Sequence, residues 1–478
     1  MTTPVSHPCE IECQDRQKLL QRGSGYVFLF SFLLVTLIGV FVQKLFLPVM
    51  LPQLHAGHGL LLGGDWVGFH EDGAKLADLI AAKGWGSFEL RPGGNAPVAI
   101  SALAYYFTGV HEPWVLVPIN AAIFALGAVG LFNIFDRIAD TRLAVVALIP
   151  YLLFPSSVQL YSQIHKDVWA ITGFVGLVFV WTVLADMRRI SSGQFFGLIA
   201  IAALASAFAW LVRPYLSGVY LGALVCGTAF LFVWTIAKRA TNVRAELRRW
   251  TCLGLCIVAV GVFAFGVPSR IFPSLSETAA PDLFGTVRHA PPRLECERKP
   301  NSLDSAMPSM IRRGLDSIIN VRVGQRGGGL KAGSAIDHDT CFSQPSDVLF
   351  YIPRSLQVGL FAPFPDMWFS SGVSPGARAM RSVAGLEMLA SYVLLPGIPV
   401  LLVLAGFKRR KLLLLGLIVT LPLICLLSTT IPNVGTLYRM RYGYLQFLLG
   451  LGIIGWGCAW RIIRVRLGQW LEQRSILK

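Results

Sequence analysis

Pro97-Val98-Ala99-Ile100-Ser101-Ala102-Leu103-Ala104-Tyr105-Tyr106-Phe107-Thr108 is the stretch whose reading decides the fold. It is apolar, yet much shorter than the roughly 20 residues a helix needs to cross a bilayer. Around it lie longer apolar runs at 26–50, 114–135, 143–160, 168–185, 195–212, 215–236, 250–267, 383–407, 412–429 and 442–462. The chain of 478 residues is 54% hydrophobic and 14% charged, with a mean hydropathy of +0.60. That balance excludes an ordinary soluble globule and identifies a multi-pass membrane protein. The first run lacks a small-residue cleavage site and reads as a retained helix.

The charges decide how 97–108 is counted. If it crossed, the basic segments 187–194 and 238–249 would both fall outside, against the positive-inside rule. If it lies flat at the outer interface, every strongly basic segment becomes cytoplasmic. These are the tail with Arg16, Lys18 and Arg22, then 137–142, 188–189, 238–249, 408–411, and the end with Arg464 and Arg466. The net charge of +16 then belongs to the membrane's inner face and needs no nucleic acid. The expected organisation is a cytoplasmic tail at 1–25 and a transmembrane module at 26–270 that includes a first outer loop at 51–113. A large extracytoplasmic loop at 271–382, C-terminal helices at 383–462 and a cytoplasmic tail at 463–478 follow. The fold class is all-α and polytopic, with about ten transmembrane helices and both termini inside.

This topology gathers the informative residues on the outer side. The first loop carries Gly63-Gly64-Asp65-Trp66-Val67-Gly68-Phe69-His70-Glu71-Asp72. Asp65 reads either as the N-cap of a helix from Trp66 through Ile80 or as a reactive carboxylate, and a cap also fixes where the carboxylate points. Arg91 is either a local partner of Glu89 or a ligand-binding group. The next outer turn, Phe154-Pro155-Ser156 to His165-Lys166-Asp167, sets two cationic side chains and a carboxylate at a helix start. Either these solvate a cap or they meet a charged head group. Arg213 precedes Pro214 at a third turn. The last turn holds Tyr438-Arg439-Met440-Arg441-Tyr442; its arginines either anchor lipid head groups with the tyrosines or grip a phosphate. Glu387, just inside a span, is a functional candidate because carboxylates in membranes are costly, although near the outer end it can face water. The large loop includes a helical candidate at 310–319 and a glycine-rich run at 324–333, a weak phosphate-cradle signal that more often marks mobility. Cys296 and Cys341 share this loop, either as a disulfide or as two thiols. No cysteine spacing resembles a zinc site.

Several short motifs together resemble the GT-C glycosyltransferases, and within them bacterial mannosyltransferase-type membrane proteins. They are Gly64-Asp65…Phe69-His70, Phe154-Pro155-Ser156…Lys166-Asp167, Tyr351-Ile352-Pro353-Arg354…Pro363-Phe364-Pro365 and Arg439-Met440-Arg441. The superfamily also contains protein O-mannosyltransferases, aminoarabinose transferases and oligosaccharyltransferases. The resemblance implies a GT-C-like bundle in a bacterial inner membrane, with its site on the periplasmic face. It further implies inverting transfer of a hexose or pentose from a polyprenyl-phosphate donor to a hydroxyl of a glycan, lipid or protein, in surface polysaccharide or glycoconjugate synthesis. Asp65 and Asp167 become the catalytic carboxylates, and His70, Glu71, Arg91, His165, Lys166, Arg213, Arg439 and Arg441 the substrate-binding groups. The family often pairs acids in this loop, whereas Trp66 follows Asp65 here. The second acid is then Glu71, Asp72, Asp167 or none, which leaves a divalent Mg or Mn ion open. A polysaccharide polymerase or ligase, or a lipid-linked-sugar transporter, is the alternative reading.

The topology makes a direct prediction. A cysteine introduced at Ser192 should be labelled only from the cytoplasmic side, and one at Thr340 only from the outer side; the reverse pattern, or both on one side, refutes it.

Overall fold

The computed structural model describes residues 8–187, 190–237, 243–271, 302–331, 334–369 and 375–476. Cys296, the arginines at 188–189 and the segment 238–242 lie outside these residues. Cys341 is disulfide-bonded.

Helix α1 (Pro8–Phe41) passes into a π-helical turn at Val42–Met50 that contains Pro48. Pro48 lacks an N–H, so the α-helical ladder cannot continue unchanged there. After the first loop come α2 (Trp66–Lys83) and α3 (Ala96–Thr108). The 13-residue α3 is apolar but too short to span. It packs on α2 in a separate small core of Leu60, Trp66, Phe69, Ile80, Val98 and Tyr105. Its length agrees with the expectation that this stretch does not cross the membrane.

Helix α4 (Val117–Ile138) packs against α1. The run expected to span at 143–160 is instead α5 (Thr141–Val146), α6 (Ile149–Leu153) and α7 (Pro155–Ser162), bent by 63° before Pro155. The residue before a proline is pushed out of the helical region, and Phe154 is extended at φ −60°, ψ 139°. Then follow α8 (Asp167–Asp186), α9 (Ser192–Val212), α10 (Pro214–Ala237), α11 (Val243–Ala264) and α12 (Val267–Ile271). The segment between α12 and α17 holds α13 (Ser302–Ala306), α14 (Ser309–Lys331), α15 (Pro345–Phe350) and α16 (Ile352–Phe361). Helix α14 runs through Gly324 and Gly327–Gly329, so this part of the glycine run is helical and forms no phosphate-cradling loop. The chain closes with α17 (Pro375–Leu394), α18 (Gly397–Leu404), α19 (Phe407–Thr430) and α20 (Val434–Ile476). Among the described residues, nine helices are long and apolar enough to cross, or ten if the bent α5–α7 unit counts as one. Helix α20 continues beyond 462, so the expected C-terminal tail is largely helical.

The main core is filled by Phe124, Phe132, Phe135, Phe174, Trp181 and Phe447, contributed by α4, α8 and α20. Small residues set the closest contact. Gly397 of α18 and Gly452 and Gly455 of α20 bring two helix backbones so near that a Cβ on Gly455 would run into the Gly397 carbonyl. Small residues allow such approach where lipid gives helices little hydrophobic reason to associate.

Gly455→Ala should therefore destabilise the bundle by about 1–3 kcal/mol, as overpacking does. Gly254→Ala, at a site with nothing within 4 Å of the added carbon, should be neutral or slightly stabilising. Thermal unfolding of detergent-purified protein compares the two, and equal shifts would contradict the packing argument.

Candidate active site

Where α7, α17 and α20 meet the first loop, they surround an open cleft of about 230 Å³. Gly63 to Trp66 form one lip. A Cβ on Gly64 would overlap the Trp66 ring, so only glycine lets the indole fold back beneath the loop and donate from Nε1 to the Leu61 carbonyl. This fold places Asp65 at the N-cap position of α2, but its side chain makes no capping hydrogen bond. The carboxylate is 62% exposed, and its Oδ2 lies 3.5 Å from Nη1 of Arg439. Both residues line the cleft.

The opposite wall begins at Asn433. Its Oδ1 accepts from Gly435 N (3.0 Å), Thr436 N (3.2 Å) and Ser334 Oγ (2.8 Å). The two backbone N–H groups can only donate, which fixes the amide orientation. Ser334 also accepts at its carbonyl from Val434 N, and Ile336 N donates to the Pro432 carbonyl. The segment between α14 and α15 is thereby stitched to the start of α20.

Deeper in, Glu387 of α17 is 4% exposed and does not face water. Its Oε1 accepts from Ser156 N at 2.6 Å and its Oε2 from Tyr438 Oη at 2.5 Å. The first bond satisfies an N–H that the N-terminus of α7 leaves without a helical partner. Ser157 Oγ lies 3.0 Å from Tyr442 Oη. Tyr438 and Tyr442 are thus buried wall residues rather than head-group anchors.

The remaining candidates do not line the cleft, although Lys166, His165 and Asp167 lie close enough to feel the charge of Arg439. Arg441 is fully buried and donates to the carbonyls of Val358, Gly359 and Ala362 at the end of α16. Positions two apart on a helix project to different faces, so Arg439 reaches the cleft and Arg441 does not. Asp167 is buried and takes Arg213 Nε (3.0 Å) and Nη2 (2.6 Å) on Oδ1, pinning the start of α8 to the α9–α10 turn. Burial alone would lower the Arg213 pKa, but the Asp167 carboxylate raises it. His165 is buried with its Nδ1 3.1 Å from Asp167 Oδ2; burial lowers its pKa, and Asp167 opposes that shift. Lys166 donates from Nζ to Asn95 Oδ1 at 3.0 Å and lies over the Phe69 ring; burial, then Arg213, lowers its pKa.

His70 packs between α2 and α3 with Nδ1 2.9 Å from Tyr105 Oη, its pKa lowered by burial and by His58. Arg91 is buried with its guanidinium over the Trp210 ring. Glu71 is exposed on α2, and Asp72 lies 3.5 Å from Lys75. None of these lines the cleft. Among the described residues, no three His, Cys, Asp or Glu side chains form a group able to hold a metal ion. Ser156, Gln159, Ser334 and Asn433 line the cleft and were not singled out from sequence. Uncharged polar residues, on a short helix such as α7 or in a loop, carry no signal of their own until the fold places them together.

The Asp167–Arg213 pair has a different expected signature from the cleft. Arg213→Ala leaves a buried carboxylate uncompensated and should cost about 3–5 kcal/mol of stability. Arg439→Ala, removing a half-exposed partner, should cost about 1 kcal/mol or less. Thermal or denaturant unfolding of both variants checks the order.

No protein-family model matches the sequence, and comparison with curated proteins finds no match. Among solved structures, the crystal structure of ArnT from Cupriavidus metallidurans in the apo state is similar. The match has 17% identity and a TM-score of 0.35, covering 90% of this chain and 78% of that chain. A likeness of this depth identifies neither a family nor an activity.

Proposed function

We propose that the chain is a GT-C-type membrane glycosyltransferase that moves a sugar from a polyprenyl-phosphate donor to an acceptor hydroxyl on the outer face of a bacterial inner membrane. The observation that carries this reading is the Asp65–Arg439 pair at the cleft. A carboxylate at a cap position that does not cap, facing an arginine the positive-inside rule would not place there, has little structural purpose. The motif resemblance adds the reaction class.

The chemistry follows from the two groups. A hydroxyl is a weak nucleophile, so Asp65 takes its proton as the oxygen bonds to the anomeric carbon. The bond from that carbon to the phosphate oxygen breaks, and its electron pair leaves with the lipid phosphate. Arg439 balances the charge on the departing phosphate. When the donor phosphate draws Arg439 to itself, Asp65 loses its counter-ion and becomes a better base. Attack opposite the leaving group inverts the anomeric centre. Glycan, lipid or protein can supply the hydroxyl.

Purified protein incubated with labelled polyprenyl-phosphate hexoses and pentoses tests the reading, with product stereochemistry as a second readout. Asp65→Asn should lower turnover by roughly a hundredfold or more while donor affinity changes little. Arg439→Ala should weaken donor binding by roughly ten- to a hundredfold, the loss of a charged hydrogen bond. Arg441→Ala should instead impair folding, because its donors hold α16. A transporter would tolerate Asp65→Asn, and that outcome would refute the transferase.

A further inference from the structure

We infer that Tyr438, held by Glu387, is a hydroxyl-reading subsite at the wall of the cleft: an oriented hydrogen-bond acceptor for a sugar hydroxyl of the ligand. The inference rests on the transferase reading of the same cleft.

Glu387 is a buried carboxylate in a membrane-spanning helix, a position that is costly and commonly functional. Its Oε1 serves Ser156 N–H, which explains one of its two oxygens. Oε2 has no role in helix capping and takes the phenol proton of Tyr438. Ser156, Ala384 and Tyr438 line the cleft, so the carboxylate stands directly behind that wall. A phenol has one proton and spare lone pairs. With the proton directed to Glu387 and the Ser156 side chain within hydrogen-bond reach of the phenol, what the oxygen of Tyr438 has left for a ligand is acceptor character. It therefore favours a ligand group that donates, which a sugar hydroxyl does and a phosphate does not. Arg439, the next residue, reaches the same cleft with only donors. Adjacent positions on α20 thus present opposite hydrogen-bond characters, suited to a ligand that joins hydroxyls to a phosphate. Tyr438 is the contact residue and Glu387 a positioning residue acting through it.

Glu387→Gln gives the sharpest test. Ser156 N–H needs an acceptor, so the glutamine oxygen takes that place and its NH2 faces Tyr438. The amide then donates to the phenol oxygen, and the phenol proton turns to the cleft. Tyr438 changes from acceptor to donor with almost no change of volume. The probes are polyprenyl-phosphate sugars and their monodeoxyfluoro counterparts, because fluorine keeps weak acceptor character but cannot donate. In the wild type, one fluoro position should weaken binding by about five- to tenfold relative to the parent, the scale of one neutral hydrogen bond. Tyr438→Phe should abolish that discrimination, and Glu387→Gln should abolish or reverse it. A merely structural role for Glu387 would weaken parent and fluoro donors equally. Unchanged discrimination in Tyr438→Phe overturns the subsite and leaves the transfer reading intact; that variant decides the matter even if Glu387→Gln fails to fold. A wild type that binds no donor in the panel overturns both readings together.

Discussion

Arg441 is the constraint on which the cleft depends. A guanidinium with no exposure sits among helices, and its Nη groups go to carbonyls at the last turn of α16. The Val358 carbonyl also accepts the Ala362 N–H, but the Gly359 carbonyl faces Pro363, which has no N–H to give, and in an apolar setting an unpaired carbonyl is expensive. One side chain of α20 thereby satisfies the end of α16 and fixes where the chain goes at Pro363, which lines the cleft. Replacing either the arginine or the helix end alone would strand polar groups in a region without water. The same logic operates through Asp167 and Arg213 at the start of α8.

The layout of spans was legible because its signal is simple. Crossing a bilayer demands a run of about 20 apolar residues, and the basic segments between runs assign sides. That arithmetic set α3 apart as too short to cross and gave the number of crossings as about ten. It did not reveal the break before Pro155, because a length count is blind to a bend inside an apolar run. It also misread part of the glycine run in α14, where local propensity lost to the helix around it.

The site was legible only in part, for a different reason. Asp65 and Arg439 were found because each is a charge in a place where topology and capping do not require one. Arg441, Asp167, Arg213, His165 and Arg91 carried the same outward signal, yet the structure uses them as internal ties. Sequence shows that a charge lies near a membrane; it does not show whether a helix end or a counter-charge waits for it. The spacing Arg-x-Arg contained the missing clue. On a helix such residues diverge, so they could never have gripped one phosphate together.

Two carboxylates now bracket the cleft in contrasting surroundings. Asp65 is 62% exposed beside a cation, whereas Glu387 is 4% exposed and bonded to a phenol and a backbone N–H. An exposed carboxylate can exchange its counter-ion for a ligand at little desolvation cost. A buried one cannot move without breaking two short hydrogen bonds, so it serves to orient rather than to react. Accordingly the mobile charge stands at the open lip, where a lipid phosphate and an acceptor can both approach. The fixed charge stands behind the wall, where it decides which way Tyr438 points. In the proposed transferase this contrast suits Asp65 to proton transfer and the Glu387–Tyr438 pair to recognition, since a group locked at both oxygens is a poor proton carrier and a good template.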